Sequence, residues 1–191
     1  MNYFKGKILV SRDLLLLLFI GGLYSLSIFL SNTFVNVYLW KQSGEYPTIA
    51  IYNLFVYIFQ AITFTIAGKI AKKIDRVLVL RLGVICLSLF FLTVLIIGEK
   101  ASSFNFVLGS ILGIGYGFYW LAFNVLTFEI TEPETRDFFN GFLGVLQSVA
   151  GMIGPLLAGF IIAKMAANTG YTIIFLSSFI LFIGAIVLSF F

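Results

Sequence analysis

The chain has 191 residues, of which 61% are hydrophobic and only 10% are charged, with a formal net charge of +4. Soluble domains contain about 45–50% apolar and about 25% charged residues, and a soluble fold of this size buries too little surface to hide so many apolar side chains. Composition therefore excludes a soluble domain and indicates a protein embedded in lipid. The sequence has no His and one cysteine, Cys86, in an apolar run. We predict no metal site, no cofactor and no internal disulfide.

Six segments are long and apolar enough to span a bilayer, which requires about 20 predominantly apolar residues each. In chain order they cover residues 13–39, 46–71, 77–98, 103–128, 138–164 and 171–191. The first apolar run is too long for a signal peptide, and no small-residue cleavage site closes it. We therefore predict an all-α membrane protein in which residues 1–191 form one domain of six transmembrane helices.

Basic residues are distributed unequally between the two sides that this topology defines. Three are on one side, at Lys41, Lys100 and Lys164, and nine are on the other, at Lys5, Lys7, Arg12, Lys69, Lys72, Lys73, Arg76, Arg81 and Arg136. Because cytoplasmic loops carry an excess of Lys and Arg, we predict a multi-pass protein of the plasma membrane with a cytoplasmic N-terminus. The same bias accounts for the positive net charge without a nucleic-acid partner.

Four of the predicted helices carry polar or small residues along one face, at about 100° per residue. The stripes are Ser25, Asn32 and Asn36 on helix 1, Asn53, Tyr57 and Gln60 on helix 2, Gly113, Gly117, Trp120 and Asn124 on helix 4, and Asn140, Gly144, Gln147 and Gly151 on helix 5. Polar groups that face lipid are costly. The stripes therefore indicate either a shared solute cavity or hydrogen bonds between helices. Helices 3 and 6 have no comparable stripe.

The stretch from Glu129 to Gly159 reads EITEPETRDFFNGFLGVLQSVAGMIGPLLAG. It resembles the region of helices 4 and 5 in the major facilitator superfamily, with an acid at the end of helix 4, a P-E-x-R loop and a glycine-rich helix 5. The matching residues are Glu129, Pro133, Glu134, Arg136, Gly154, Pro155 and Gly159, while Ala150 and Ala158 replace two glycines. In the family this helix 5 motif is associated with exporters. Small residues such as Gly151 and Gly154 also let helices pack closely, and that reading stays open.

A second stretch, AGKIAKKIDRVLVLR from Ala67 to Arg81, resembles the family's cytoplasmic signature between helices 2 and 3. Gly68 fits the signature glycine, and Lys73 and Arg76 fit its basic positions. Lys72 replaces the signature aspartate, and Val77 replaces its last arginine. Asp75 replaces a glycine and is our candidate for the missing carboxylate.

The resemblance implies a six-helix half bundle with a 3+3 inverted repeat, joined to a second half in a twelve-helix transporter. Helices 1, 2, 4 and 5 would line the solute cavity, and Glu129 would pair with Lys73 or Arg76 of the signature. The expected conformational-switch charges are Lys73, Asp75, Arg76, Glu129 and Arg136. The chain ends while still apolar, so we expect a C-terminal six-helix half, in cis or in trans.

The cavity candidates offer amide, hydroxyl and aromatic groups without charge, which favours a neutral or amphipathic organic solute. No carboxylate lies deep within a predicted span. A membrane-embedded enzyme needs a metal set or an acid dyad there, so we predict a secondary transporter and no enzyme. The alternative is a non-transporting scaffold or a self-associating half-transporter, for which the small-residue faces of helices 4 and 5 are also suited.

Overall fold

The computed structural model describes residues 11–191, so Lys5 and Lys7 of the predicted basic side lie outside the described residues. Over this range the chain forms six α-helices and a 3₁₀ segment, Gly98–Phe104, between the third and the fourth. The helices are α1 Arg12–Ser43, α2 Tyr46–Lys73, α3 Arg76–Ile97, α4 Asn105–Ile130, α5 Pro133–Lys164 and α6 Ala167–Leu188. The all-helical fold is confirmed.

Five continuous helical stretches in the described range are long and apolar enough to cross a membrane. Four correspond to α1, α2, α5 and Asn168–Leu188 of α6. The fifth, Arg76–Ile130, has 55 residues and contains α3, the 3₁₀ segment and α4. Extended as one straight helix it would measure about 80 Å against a hydrocarbon core of about 30 Å. Because α3 and α4 pack against each other, the stretch folds back on itself.

Two helices are longer than predicted because polar residues at their ends remain helical. The structure continues α1 from residue 39 to Ser43, where Gly44 adopts φ 69° and donates its N–H to the carbonyl of Trp40 at 2.7 Å. This left-handed glycine is a common helix stop. The structure starts α5 at Pro133 rather than at residue 138. The N–H of Glu132 donates to the Thr135 hydroxyl at 3.0 Å, and proline suits the first helical position.

The remaining boundaries shift by a few residues. Helix 4 was predicted from residue 103, whereas α4 starts at Asn105, because the preceding residues form the 3₁₀ segment. Helix 6 was predicted over residues 171–191, whereas α6 covers Ala167–Leu188. Hydropathy places the centre of each helix well, but caps and polar first turns set the ends.

The centre of the bundle consists of α1 and α4. On one side α4 packs against α2 and α3, and on the other α1 packs against α5 and α6, while α3 and α6 contact each other behind them. The α4 glycines allow the closest of these approaches. A Cβ added at Gly113 would collide with the carbonyl oxygen of Val56 in α2, and one at Gly115 would lie 2.8 Å from a methyl of Leu87 in α3. The glycines of α4 are thus packing residues.

Aromatic and serine contacts join the central helices to each other and to α6. The ring of Tyr24 in α1 stacks on that of Tyr119 in α4, with ring centroids 3.9 Å apart. The ring centroid of Phe182 in α6 lies 6.2 Å from that of Tyr24. Ser27 of α1 and Ser178 of α6 are fully buried and each hydroxyl donates to the other's carbonyl, at 3.5 and 3.0 Å. Such bonds between buried serines satisfy polar groups that lipid would leave without partners.

The turns of the chain lie at two ends of the bundle. An ion pair between Arg76 and Glu129 brings the α2–α3 and α4–α5 turns together, and Arg81 contacts Ser189 at the end of α6. We call this the basic end. At the opposite end, the Gln42 side chain in the last turn of α1 donates a hydrogen bond to the carbonyl of Gly98 in the 3₁₀ segment, and the Asn168 amide of α6 donates one to Glu99.

Candidate functional site

The polar stripes of α1 and α2 meet in a chain of amides. The Asn53 side chain donates to the Oδ1 of Asn36 at 2.8 Å and to the carbonyl of Ile49 at 2.9 Å. The Asn36 amide in turn donates to the Asn32 carbonyl at 3.3 Å. All three asparagines are half-buried. The structure therefore brings together three residues that the sequence placed on two separate faces.

Ser25, the remaining member of the α1 stripe, is not part of this surface. It is buried, and its hydroxyl donates to the carbonyl of Gly21 one turn earlier at 2.7 Å. A serine that bonds its own helix in this way needs no other partner.

On α2 the candidate side chains border an open depression. Tyr57, Gln60, Ala61 and Phe64 line a cavity of about 380 Å³ on the surface of the bundle. The Tyr57 side chain is 69% exposed, and Gln60 is half-buried. The two polar side chains are thus available to a ligand or to a neighbouring helix.

The α4 stripe divides into two parts. Gly113 and Gly117 are buried against the backbone of α2, so they line no cavity. Trp120 is half-buried, with its ring centroid 5.4 Å from that of Tyr24 and 6.2 Å from that of Phe123. Asn124 is exposed. The first half of the stripe is packing surface, and only its second half is exposed.

The sequence analysis missed Tyr116 because, at about 100° per residue, it falls about 60° from Gly113 and so beside the predicted stripe of α4. Tyr116 precedes Trp120 by one turn of α4 and is half-buried, and its ring lies 6.5 Å from that of Tyr24. The spacing of four residues between two aromatic residues was the available signal.

The polar face of α5 is open. Asn140 is exposed, Gln147 is half-buried, and a Cβ added at Gly141 or Gly144 would meet nothing within 4 Å. An uncovered face of small and polar residues in a membrane helix leaves space for another helix or a solute.

The glycines of the predicted packing motif differ in what they touch. Gly154 is buried against the backbone of Phe29 in α1, and a Cβ added at Gly151 would lie 3.5 Å from the Phe29 ring. A Cβ added at Gly68 of α2 would lie 3.7 Å from the side chain of Leu121 in α4. A Cβ added at Gly159 would meet nothing within 4 Å in the described part of the chain, and Pro155 lies inside α5. The motif therefore joins α5 to α1 through its first half.

The charges of the two signature regions meet at the basic end. The Arg76 Nε lies 2.9 Å from the Glu129 Oε1, and the side chains are 47% and 39% exposed. Of the two partners that the resemblance implied for Glu129, the structure pairs it with Arg76. It is the one ion pair within the described residues, and Lys73 is exposed.

Asp75 and Arg136 have local roles in the structure. Asp75 caps α3 by accepting hydrogen bonds from the N–H groups of Val77 and Leu78 at 3.0 and 3.2 Å, so this carboxylate is engaged at a helix start. The Arg136 guanidinium donates to the hydroxyl and the carbonyl of Thr131, both at 3.1 Å, and lies over the ring of Phe128. Neither side chain pairs with an opposite charge in the described part of the chain.

The candidate side chains that are exposed or half-buried offer amides, a hydroxyl and aromatic rings and no charged group, so they suit hydrogen bonding and contact with a ring or an apolar group. Within residues 11–191, no group of three or more His, Cys, Asp or Glu side chains is placed to hold a metal ion.

Comparison with known proteins gives a consistent result. The family model described as Major Facilitator Superfamily matches residues 17–191. The chain is 64% identical over 186 residues to the uncharacterized protein YqgE of Bacillus subtilis and covers 43% of its length. It is 64% identical over 172 residues to an uncharacterized protein in the sodM 3′ region of Geobacillus stearothermophilus, covering 80% of that sequence.

A more distant relative is the MFS-type efflux pump elcC of Phaeosphaeria nodorum, 38% identical over 76 residues, which are 39% of this chain and 14% of the pump. The match of the family model extends over nearly the whole described range and includes both motif regions. The chain is an integral membrane protein and belongs to the Major Facilitator Superfamily, a family of membrane transporters.

Proposed function

We propose that residues 1–191 are the N-terminal half of a secondary transporter that moves a neutral or amphipathic organic solute by alternating access. The observation that carries the proposal is an uncharged polar surface on α1 and α2. It holds the asparagine chain at Asn36 and Asn53 and the open side chains of Tyr57 and Gln60. Solute sites of such transporters lie near the membrane midplane between two halves.

The pattern of helix contacts supports six spans arranged as a 3+3 repeat. In such a repeat, α1, α2 and α3 correspond to α4, α5 and α6. The contact between α2 and α4 then corresponds to the contact between α5 and α1, and the contact between α3 and α4 corresponds to that between α6 and α1. Both members of each pair are major contacts of the bundle. An inverted repeat produces this correspondence, because each unit of three helices then packs in the same way.

Uncovered surface supports a second half, in cis or in trans. In α2 and α5 only 17% of the most apolar window is buried, against 56% in α1. Lipid can cover the apolar part of these surfaces, but amides such as Asn140 and Gln147 need polar partners or water. The chain spans 43% of the length of its Bacillus relative, which leaves room for a further six helices in such a protein.

Two further observations bear on the direction of transport and on the orientation. The name of the fungal efflux pump and the exporter-associated motif in α5 favour export. The basic end carries Arg12, Lys72, Arg76 and Arg136, which favours a cytoplasmic N-terminus in the plasma membrane.

Transport in proteoliposomes tests the proposal. The chain is reconstituted alone and together with a second half taken from the longer Bacillus relative, and uptake of neutral and amphipathic fluorophores is measured against concentration. Saturable flux should require both halves. Gln60→Ala and Tyr57→Phe should raise KM, whereas Thr65→Ala, exposed on the same helix, should leave KM unchanged. Absence of saturable flux from the two halves together would reject the proposal.

A homodimer is the alternative arrangement. The open face of α5, with Gly141 and Gly144, also suits a second copy of the chain. Saturable flux from the chain alone, together with a dimeric mass, would favour a self-associating half-transporter over the two-half protein. A stable dimer without flux would favour a scaffold.

A further inference from the structure

A polar cavity at the end of the bundle opposite the basic end is separate from the proposed transport surface. It has a volume of about 320 Å³ and is lined by Tyr38, Lys41, Gln42, Glu99, Asn168 and Tyr171. These residues come from the last turns of α1, the 3₁₀ segment and the first two turns of α6. We propose that this cavity binds the headgroup of a zwitterionic phospholipid, with its phosphate against Lys41 and its ammonium group against Glu99.

The anion-binding side of the cavity contains a cation without an acidic partner. The Lys41 ammonium lies over the ring of Tyr171, 5.4 Å from its centroid, and makes no ion pair in the described part of the chain. The start of α6 is close by. Its N-cap residue, Ala166, offers no side chain to the free N–H groups of the first turn. A helix start without a cap and a nearby ammonium both attract a phosphate.

The cation-binding side is provided by Glu99. Its Oε1 accepts a hydrogen bond of 2.6 Å from the Asn168 amide, which orients the carboxylate and leaves lone pairs for another donor. The carboxylate is exposed. Tyr38 adds a ring 5.1 Å from that of Tyr171, and aromatic faces attract ammonium groups. The cavity therefore presents opposite charges to one small ligand.

The two sides are held in place by Gln42. Its amide nitrogen donates to the carbonyl of Gly98 at 3.1 Å, and its oxygen accepts from the N–H of Ser102 at 2.9 Å. Both bonds tie the 3₁₀ segment that carries Glu99 to the end of α1 that carries Lys41. A site whose groups are already positioned loses less entropy on binding.

The position of the cavity favours a lipid over a soluble zwitterion. Its lining residues lie where helices leave the apolar core, a depth at which tyrosine is enriched and phospholipid headgroups are found. Ile96, three residues before Glu99, and Met165, three residues before Asn168, have large exposed apolar side chains. Such side chains suit acyl chains next to a bound headgroup.

Lipid retention by the full chain tests the site. The protein is reconstituted in nanodiscs of phosphatidylethanolamine and phosphatidylglycerol, extracted, and its retained lipid counted by native mass spectrometry. Wild-type protein should retain phosphatidylethanolamine preferentially. Lys41→Gln and Glu99→Gln should each lower that retention about tenfold, the effect of losing a charge-assisted hydrogen bond. The matched controls Lys100→Gln and Glu45→Gln, exposed charges at the same end, should not.

A conservative variant and a competition experiment complete the test. Lys41→Arg should restore retention, which separates loss of the ligand from loss of the fold. Soluble glycerophosphoethanolamine should compete only weakly because it lacks acyl chains. Equal retention by all variants would overturn the proposal, and so would preferential retention of phosphatidylglycerol. Competition by the soluble headgroup as strong as that by the lipid would assign the cavity to a soluble zwitterion instead.

Discussion

Arg76 at the start of α3 and Glu129 at the end of α4 form an ion pair of 2.9 Å that joins the two signature regions of the chain. Both side chains are more than a third exposed, so solvent screens the pair and its contribution to stability is about 0–1 kcal/mol. A free energy of this size still shifts an equilibrium between two conformations several-fold.

We therefore predict that Glu129→Gln changes the transport rate of the completed transporter by up to about fivefold with little change in KM. The charge swap Glu129→Arg with Arg76→Glu should recover part of the rate. Lys73→Gln is the matched control, because Lys73 is exposed and unpaired in the described part of the chain. Initial rates at several solute concentrations decide the matter. An unchanged rate in Glu129→Gln would mean that the carboxylate only ends α4 in water.

A second prediction concerns the α2–α4 contact. Gly113→Val should destabilise the protein by about 1–3 kcal/mol, because the added side chain meets the backbone of α2. Gly144→Ala should be neutral or stabilise by up to about 1 kcal/mol in the chain alone, since its Cβ enters open space. Thermal unfolding in a mild detergent measures both. Equal unfolding temperatures for the two variants would contradict the packing role of Gly113.

The reciprocal serine bonds give a third prediction. Ser178→Ala should lower the free energy of unfolding by about 0.6–1.5 kcal/mol, because it removes the 3.0 Å bond to the Ser27 carbonyl. Ser177→Ala, at the neighbouring half-buried position, is the control and should change stability less. Chemical or thermal unfolding of the purified protein measures the difference. No difference between the variants would show that the Ser178 hydroxyl contributes nothing measurable.

Orientation can be tested by labelling single cysteines in intact cells. In a Cys86→Ala background, cysteines at Glu45 and Lys100 should react with a membrane-impermeant maleimide, and cysteines at Lys72 and Glu134 should not. All four positions are exposed, so access to the reagent depends on the side of the membrane. Labelling at Lys72 with protection at Lys100 would reverse the proposed topology.

Much of the fold was predictable from hydropathy, because each helix must be long and apolar enough for lipid. The ends of the helices were less predictable from hydropathy. α1 continues past its apolar window until Gly44 ends it, and α5 begins before its apolar window, where Thr135 contacts Glu132. Polar residues at helix ends resemble loop residues when only hydropathy is considered. Two capping signals in the sequence indicate these ends: Gly44 at the C-terminus of α1 and Pro133 after Glu132 at the N-terminus of α5.

The candidate site was predictable in part. Helical periodicity assigned Asn36 and Asn53 to the polar faces of their helices, and the structure shows that these two side chains meet. Periodicity on one helix does not indicate which other helix that face contacts. For this reason the stripe on α4 combined Gly113, which packs on α2, with Asn124, which is exposed. The Arg76–Glu129 pair was available from the family resemblance and not from local sequence, because the two residues are 53 positions apart in the chain.

The 3₁₀ corner Gly98–Phe104 between α3 and α4 has a mechanical consequence. Hydrogen bonds fix this corner on both sides, because Gln42 links it to α1 and Asn168 links it to α6. Four helices, α1, α3, α4 and α6, are therefore linked by hydrogen bonds at the end opposite the basic end. In such a frame, the helices cannot slide past one another there without breaking these bonds. We therefore expect α1, α3, α4 and α6 to move together at this end in any large rearrangement.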